Sequence, residues 1–273
     1  MKQAENTSAR AHIGKGDDHD GAADEAFESR WRARFREFAE EREDDAGIAG
    51  WSRAGLDARV RQFLQVRTRP RAGTCWLDAG CGAGTYTRIL RDQGLVPVGT
   101  DYSFPTLRKA MQRETGPAMY ATADVRCLPF ADATFDGVLC FGVMQALSRS
   151  DEAVDTLARV TRPGGEVWVD ALNRWCIVNL YDIVRRRVQG RRMHLRYESP
   201  RVMKQLMRSS GLREVRLHWL PLLPGRFKGA QHWVETPLAR WVFRFVPFAG
   251  LLLCHSFIVV GMRQAERRDR HGD

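Results

Sequence analysis

The sequence has no cysteine pair at C-x-x-C spacing, no Cys/His cluster, no internal repeat and no unbroken apolar run of membrane-spanning length. Each absence closes a class. The six cysteines (Cys75, Cys81, Cys127, Cys140, Cys176 and Cys254) are scattered, so they suit neither a structural metal site nor a disulfide framework. Most of them stand in apolar runs as small hydrophobes, and a reducing cytoplasm is the expected setting. The longest apolar stretch, residues 245–262, is interrupted by Pro247, Gly250 and His255, where a spanning helix needs continuity. The first 25 residues lack the apolar centre of a secretory signal and read as a disordered tail, with His12 and His19 solvated.

Lysine is scarce beside arginine, and the chain of 273 residues carries a formal charge of +10. Guanidinium groups suit carboxylates and phosphates on a substrate, a nucleic acid or a lipid surface, although GC-rich coding produces the same excess. The length allows one domain with additions.

Along the chain, Phe27, Trp31, Phe35 and Phe38 recur at helical spacing within residues 25–43, and Leu56, Val60, Phe63 and Leu64 do so within residues 53–66. Strand, glycine loop and helix follow from Cys75 to Leu90, and apolar runs then alternate with amphipathic ones to Asp170. That alternation predicts a parallel sheet covered on both faces. Residues 173–196 read as an inserted helical element, residues 200–210 as an amphipathic helix, and residues 215–220 and 256–260 as strands completing the sheet. The expected divisions are a tail (1–25), a helical N-terminal cap (26–70), a core (71–172), a helical insertion or lid (173–199), a segment completing the sheet (200–264) and a tail (265–273).

The loop Asp78-Ala79-Gly80-Cys81-Gly82-Ala83-Gly84 follows the first core strand, where open parallel sheets bind ligands. A dinucleotide fingerprint would need Gly or Ala where Thr85 or Thr87 stands, which disfavours NAD. The loop instead resembles motif I, (D/E)xGxGxG, of the class I S-adenosylmethionine (SAM)-dependent methyltransferases, especially the small-molecule enzymes of the ubiquinone and menaquinone branch. Four further segments fall in order behind it: Val98-Gly99-Thr100-Asp101-Tyr102-Ser103, Ala123-Asp124-Val125 with Leu128-Pro129-Phe130, Phe135-Asp136-Gly137-Val138, and Arg162-Pro163-Gly164-Gly165.

The resemblance implies a Rossmann-like, mostly parallel seven-stranded sheet and one SAM site. In that site the loop (Ala79, Gly80, Cys81, Gly82, Gly84) holds the methionine part and Asp78 orients the loop or the amino group. Asp101 accepts from the ribose hydroxyls beside Tyr102, Asp124 and the Val125 N–H meet adenine, and Phe141 ends the fourth strand at the site. Read as residues alone, Asp78 equally suits a turn cap and Asp101 a helix N-cap. Asp136, an acid at a strand start, is read as structural. No general base is evident. His194, Tyr197 and Asp170 are the candidates, each with a surface or packing role as the alternative.

Three functions compete. A small-molecule methyltransferase is favoured over an RNA or DNA methyltransferase, since Phe141-Gly142-Val143-Met144-Gln145 lacks the Asn/Asp-Pro-Pro-Tyr/Phe signature of the amino-methylating enzymes. A non-catalytic SAM-binding protein is the third. The arginines at 185–187 and 191–192, interleaved with apolar residues from Trp175 to Val184, suggest a lid for a small or lipid-linked acceptor and a peripheral contact with an anionic membrane. The stretch from Trp241 to Phe248 offers a second such contact.

Overall fold

The structure is a computed structural model describing residues 21–67, 70–221, 231–246 and 248–264. Three helices open it: α1 (Gly21–Glu41), α2 (Asp45–Ile48) and α3 (Arg53–Val66). Asp44 and Ser52 start the second and third by accepting from Gly47 N–H (2.9 Å) and Gly55 N–H (3.2 Å), each satisfying a donor that a helix start leaves unpaired. The core then alternates β1 (Cys75–Ala79), α4 (Thr85–Asp92), β2 (Val96–Asp101), α5 (Phe104–Arg113), β3 (Met119–Thr122) and β4 (Phe135–Cys140). A short 3-10 turn at Met144–Ala146 leads to α6 (Asp151–Val160), β5 (Thr161–Leu172), α7 (Ile177–Val188), α8 (Pro200–Ser209) and β6 (Leu212–Leu220). The chain ends on α9 (Gln231–Val234), α10 (Pro237–Phe245), α11 (Ala249–Leu253) and β7 (Ser256–Arg263).

The seven strands lie in the order β3-β2-β1-β4-β5-β7-β6. All neighbours are parallel except at β7, which runs antiparallel to β5 and β6. β1 is central, with Leu77 opposite Val98 on one side and Val138 on the other. Successive strand residues point to opposite faces, and the two cores follow that alternation. Leu77, Val138, Val167 and Val259 pack with Val154 and Leu157 of α6 and Met203 and Met207 of α8. Trp76, Leu139, Trp168 and Ile258, one residue out of step, pack with Phe63 of α3 and Leu90 of α4. Burying each such side chain contributes about 1.5–3 kcal/mol, which holds the carboxyl ends of the strands in one plane.

The expected sheet and its helices on both faces are present. Several boundaries moved. α1 begins at Gly21, so residues 21–25, read as tail, are helical. Residues 1–20 and 265–273, also read as tails, lie outside the described residues. β5 starts at Thr161, before Pro163-Gly164-Gly165, because Thr161 pairs with Phe135 and the turn is accommodated where the register shifts between Phe135 and Gly137. The 200–264 segment completes the sheet and also carries the three short helices α9 to α11.

Candidate functional site

β1 ends in a turn tied to its neighbour: the N–H groups of Gly80 and Cys81 both donate to Thr100 O of β2, at 2.7 and 2.8 Å. Gly80 and Gly82 have φ of +74° and +54°, a region glycine enters without strain. A Cβ at Gly80 would strike Val143 Cγ2 at 2.2 Å, so that glycine packs against the loop after β4. A Cβ at Gly82 would meet nothing within 4 Å, because this residue borders an open cleft.

The cleft, about 830 Å³ with its mouth, lies beyond the carboxyl ends of β1, β2 and β4. Seven of the residues expected at the site line it: Gly80, Gly82, Asp101, Tyr102, Asp124, Val125 and Phe141. The others sit behind it. Ala79 and Cys81 are buried, Gly84 starts α4, and Asp78 is 1% exposed with its carboxylate accepting from Thr87 Oγ1 at 2.7 Å. Burial pushes the Asp78 carboxyl up to about 7 against that hydrogen bond.

Asp101 is 9% exposed and accepts from Gly82 N–H (3.0 Å) on one oxygen and Ser103 N–H (2.9 Å) on the other. Each oxygen keeps a further lone pair. Burial pushes its carboxyl up to about 6, opposed by the backbone N–H groups of Ser103, Gly82 and Tyr102. Across the cleft, the Val125 N–H has no protein acceptor among the described residues. An open glycine, a buried acid with spare lone pairs and an orphaned N–H across the cleft together fit a nucleoside bearing vicinal hydroxyls and a ring nitrogen.

Asp124 is more heavily engaged than expected. It accepts from Arg126 through Nε (3.1 Å) and Nη2 (2.7 Å), and from Arg32 Nη2 (3.1 Å). Burial alone would raise its pKa, but the Arg126 hydrogen bonds and the charges of Arg126 and Arg32 bring it below the usual carboxylate range. Arg126 in turn donates to Glu28 of α1 at 2.7 Å, and Glu28 accepts from Ser148 Oγ at 2.6 Å. This network straps α1 over the cleft. Trp31, Arg32 and Phe35 of α1, with Ile48 and Trp51 after it, form a wall that the sequence reading treated only as a cap. The aromatic spacing from Phe27 to Phe38 was the available signal.

A second and larger cavity adjoins the first and shares Trp31, Phe35, Ala49 and Trp51 with it. Its remaining walls come from α3, α7, α9, α10, α11 and the start of β7, mostly apolar. At its edge Arg59 forms a buried ion pair with Asp170 (3.3 Å) and lies 4.2 Å from the Trp51 ring centroid. The Asp170 carboxylate also accepts from Gly142 N–H at 2.6 Å, so this candidate base lies beneath the cavity with both oxygens engaged. His194 and Tyr197 line neither the cleft nor the second cavity. Tyr197 Oη donates to Asp182 of α7 (3.3 Å), and burial with the Arg186 charge lowers the pKa of His194. Among the described residues no cluster of three His, Cys, Asp or Glu side chains could hold a metal.

Residues 77–169 match the family described as a methyltransferase domain. Over those residues the chain is similar to methyltransferase domains, and its fold is similar to that of solved methyltransferase structures. Over 116 residues it is 37% identical to the malonyl-[acyl-carrier protein] O-methyltransferase of Pseudescherichia vulneris, covering 42% of this chain and 46% of that one. Over 114 residues it is 34% identical to the probable tRNA methyltransferase 9B of Homo sapiens, covering 41% of this chain and 23% of that one. The chain thus spans under half the length of the curated relatives it matches. In fold it is similar to magnesium protoporphyrin IX methyltransferase from Synechocystis PCC 6803, with a TM-score of 0.58 and 14% identity, covering 89% of this chain and 99% of that one. The likeness in fold covers more of the chain than the sequence match does.

Proposed function

We propose that this chain is a SAM-dependent methyltransferase acting on a small organic or lipid-linked acceptor. The observation that carries the reading is the pair of adjoining cavities, one fitted to a nucleoside and one apolar, separated by the shared Trp31, Phe35, Ala49 and Trp51. Asp101 would hold the ribose, the loop from Gly80 to Gly84 the methionine part, and the Val125 N–H the adenine ring. When bound, SAM supplies an electrophilic methyl group on a sulfonium. The protein supplies orientation and exclusion of water, contributions worth several kcal/mol in a displacement that needs no obligatory base. Asp124 holds Arg126 and Arg32, so its role is to fix α1 as a wall, and adenine recognition falls chiefly to Val125.

Apolar walls support an acyl or ring-bearing acceptor, and the relatives named for malonyl-[acyl-carrier protein] support an acyl chain presented by a carrier. A membrane-proximal setting is supported by the helices around the second cavity. Ile177, Tyr181, Leu238, Trp241, Phe245 and Phe248 of α7, α10 and the α11 N-cap are exposed, and Arg185, Arg186 and Arg187 close α7. No helix among the described residues is long and apolar enough to cross a membrane. Incubation with methyl-labelled SAM and cell extract tests the function. The expected result is label in the organic-soluble fraction, or in protein as a base-labile ester. Label in RNA would replace this reading with the nucleic-acid one, and no label in any fraction would leave a SAM-binding protein.

A further inference from the structure

The second cavity is mostly apolar, with Ser52, Arg59, Gln145, Gln231 and His255 as the polar part of its lining. Among its described lining residues Arg59 is the sole charged one, and its pairing with Asp170 leaves that charge neutralised. Arg59 Nη2 also donates to Ser256 Oγ at 3.2 Å, and Ser256 is fully buried. Ser256 Oγ lies 3.0 Å from Nδ1 of His255, a half-buried residue that lines the cavity. The other ring nitrogen, Nε2, has no protein partner among the described residues.

Hydrogen bookkeeping along this chain decides the tautomer. Ser256 Oγ already receives a hydrogen from the Arg59 cation. If His255 Nδ1 carried a hydrogen as well, the hydroxyl would receive two and its own proton would be buried without an acceptor, a loss comparable to a broken hydrogen bond. If the hydroxyl donates to Nδ1, its buried proton has an acceptor and the bonds run unbroken from Asp170 through Arg59 and Ser256 to His255. Nε2 then carries the imidazole hydrogen and offers it to the cavity. Burial and the nearby Arg59 cation push the imidazole pKa down to about 4, so the ring is a neutral donor and neither a cation nor a base at Nε2.

We propose that His255, through Nε2–H, holds an oxygen of the methyl acceptor, and that the site therefore selects acceptors presenting an uncharged carbonyl, ester or ketone oxygen within an apolar body. This rests on the acceptor reading of the second cavity given above. It makes His255 a residue that positions and selects the acceptor, with Ser256, Arg59 and Asp170 fixing its tautomer.

Two measurements test it. In protein labelled with nitrogen-15 at histidine, long-range proton–nitrogen spectra should show a pyrrole-like Nε2 and a pyridine-like Nδ1 for His255 at pH 7, identified by loss of the signal in His255→Ala. Binding is read by NMR titration with 2-acetylnaphthalene and 2-isopropylnaphthalene, which differ by an oxygen in place of a methyl group. The ketone should bind more tightly to the wild-type protein. His255→Ala should weaken the ketone about fivefold, the scale of one neutral hydrogen bond, and leave the hydrocarbon unchanged, while His255→Gln, which keeps a donor, restores part of the loss. A pyridine-like Nε2, equal weakening of both probes, or no ketone preference in the wild type would overturn the proposal. Failure of the wider acceptor reading would look different: the tautomer and ketone preference would persist while no acceptor is methylated.

Discussion

Asp101 joins two duties in one carboxylate: it clamps the glycine loop through Gly82 and keeps lone pairs facing the cleft. Its carboxyl, pushed up to about 6 by burial, gives the site a pH dependence. The sign follows from the charged form being the one that accepts ligand hydroxyls. Above about pH 6 the acceptor is intact; below it, protonation removes one lone pair and the favourable charge, and affinity falls by up to about tenfold per pH unit. Titration of S-adenosylhomocysteine between pH 5 and 8 should show this loss, and Asp101→Asn should bind weakly with a flat profile. A wild-type profile that is flat would contradict the role. At this scale the sequence was informative about where the loop and Asp101 stand, at the ends of adjacent strands, because glycines at a strand end and an acid one strand over are local patterns. It was uninformative about the ion pairing of Asp124, one of whose partners, Arg32, reaches it from 92 residues away. Asp170 was likewise unreadable, since its partner Arg59 is 111 residues distant.

Among elements, α1 shows why periodicity reveals that a face is covered and not what covers it. Phe27, Trp31, Phe35 and Phe38 correctly indicated a helix, yet its placement over the cleft depends on Glu28, Arg32, Arg126 and Ser148 meeting in space. The helices α9 and α11 were missed because they are four and five residues long, too short for a helical repeat, and α10 because Leu238, Trp241, Val242, Phe243 and Phe245 read as one apolar run. The strands were legible because each is a short apolar run bounded by turn formers. If α1 is a wall of the cofactor cleft, S-adenosylhomocysteine should slow amide hydrogen exchange across α1 as well as in the glycine loop. Glu28→Ala, which removes the partner of Arg126 and Ser148, should speed exchange in α1 and weaken binding several-fold without altering protection of β1 and β4. Unchanged exchange in α1 on ligand binding would show that the helix is only a cap.

At the scale of the whole molecule, the ends of the strands carry the cleft, α1 forms one wall of it, and α7, α10 and α11 line the second cavity while exposing apolar surface. Val178 and Leu253 line the second cavity and are also exposed at 53% and 59%, so the cavity mouth opens on the apolar face. Each arginine near an anionic surface adds about 1 kcal/mol of attraction, and apolar insertion adds to it. Flotation should therefore recover the protein with vesicles containing phosphatidylglycerol and far less with phosphatidylcholine alone, and replacing Arg185, Arg186 and Arg187 by Gln should reduce recovery. Absence from both vesicle fractions would remove the membrane from the account while leaving the acceptor cavity intact.

The central claim, that the glycine loop and Asp101 form one SAM site, is tested most directly by calorimetric titration of S-adenosylhomocysteine into the wild-type protein, Asp101→Ala and Gly82→Arg. One site per chain is expected in the wild type. No measurable binding is expected in either variant, because one loses the proposed ribose acceptor and the other fills the open side of the loop, with both still unfolding cooperatively. Undiminished affinity in both folded variants would contradict it.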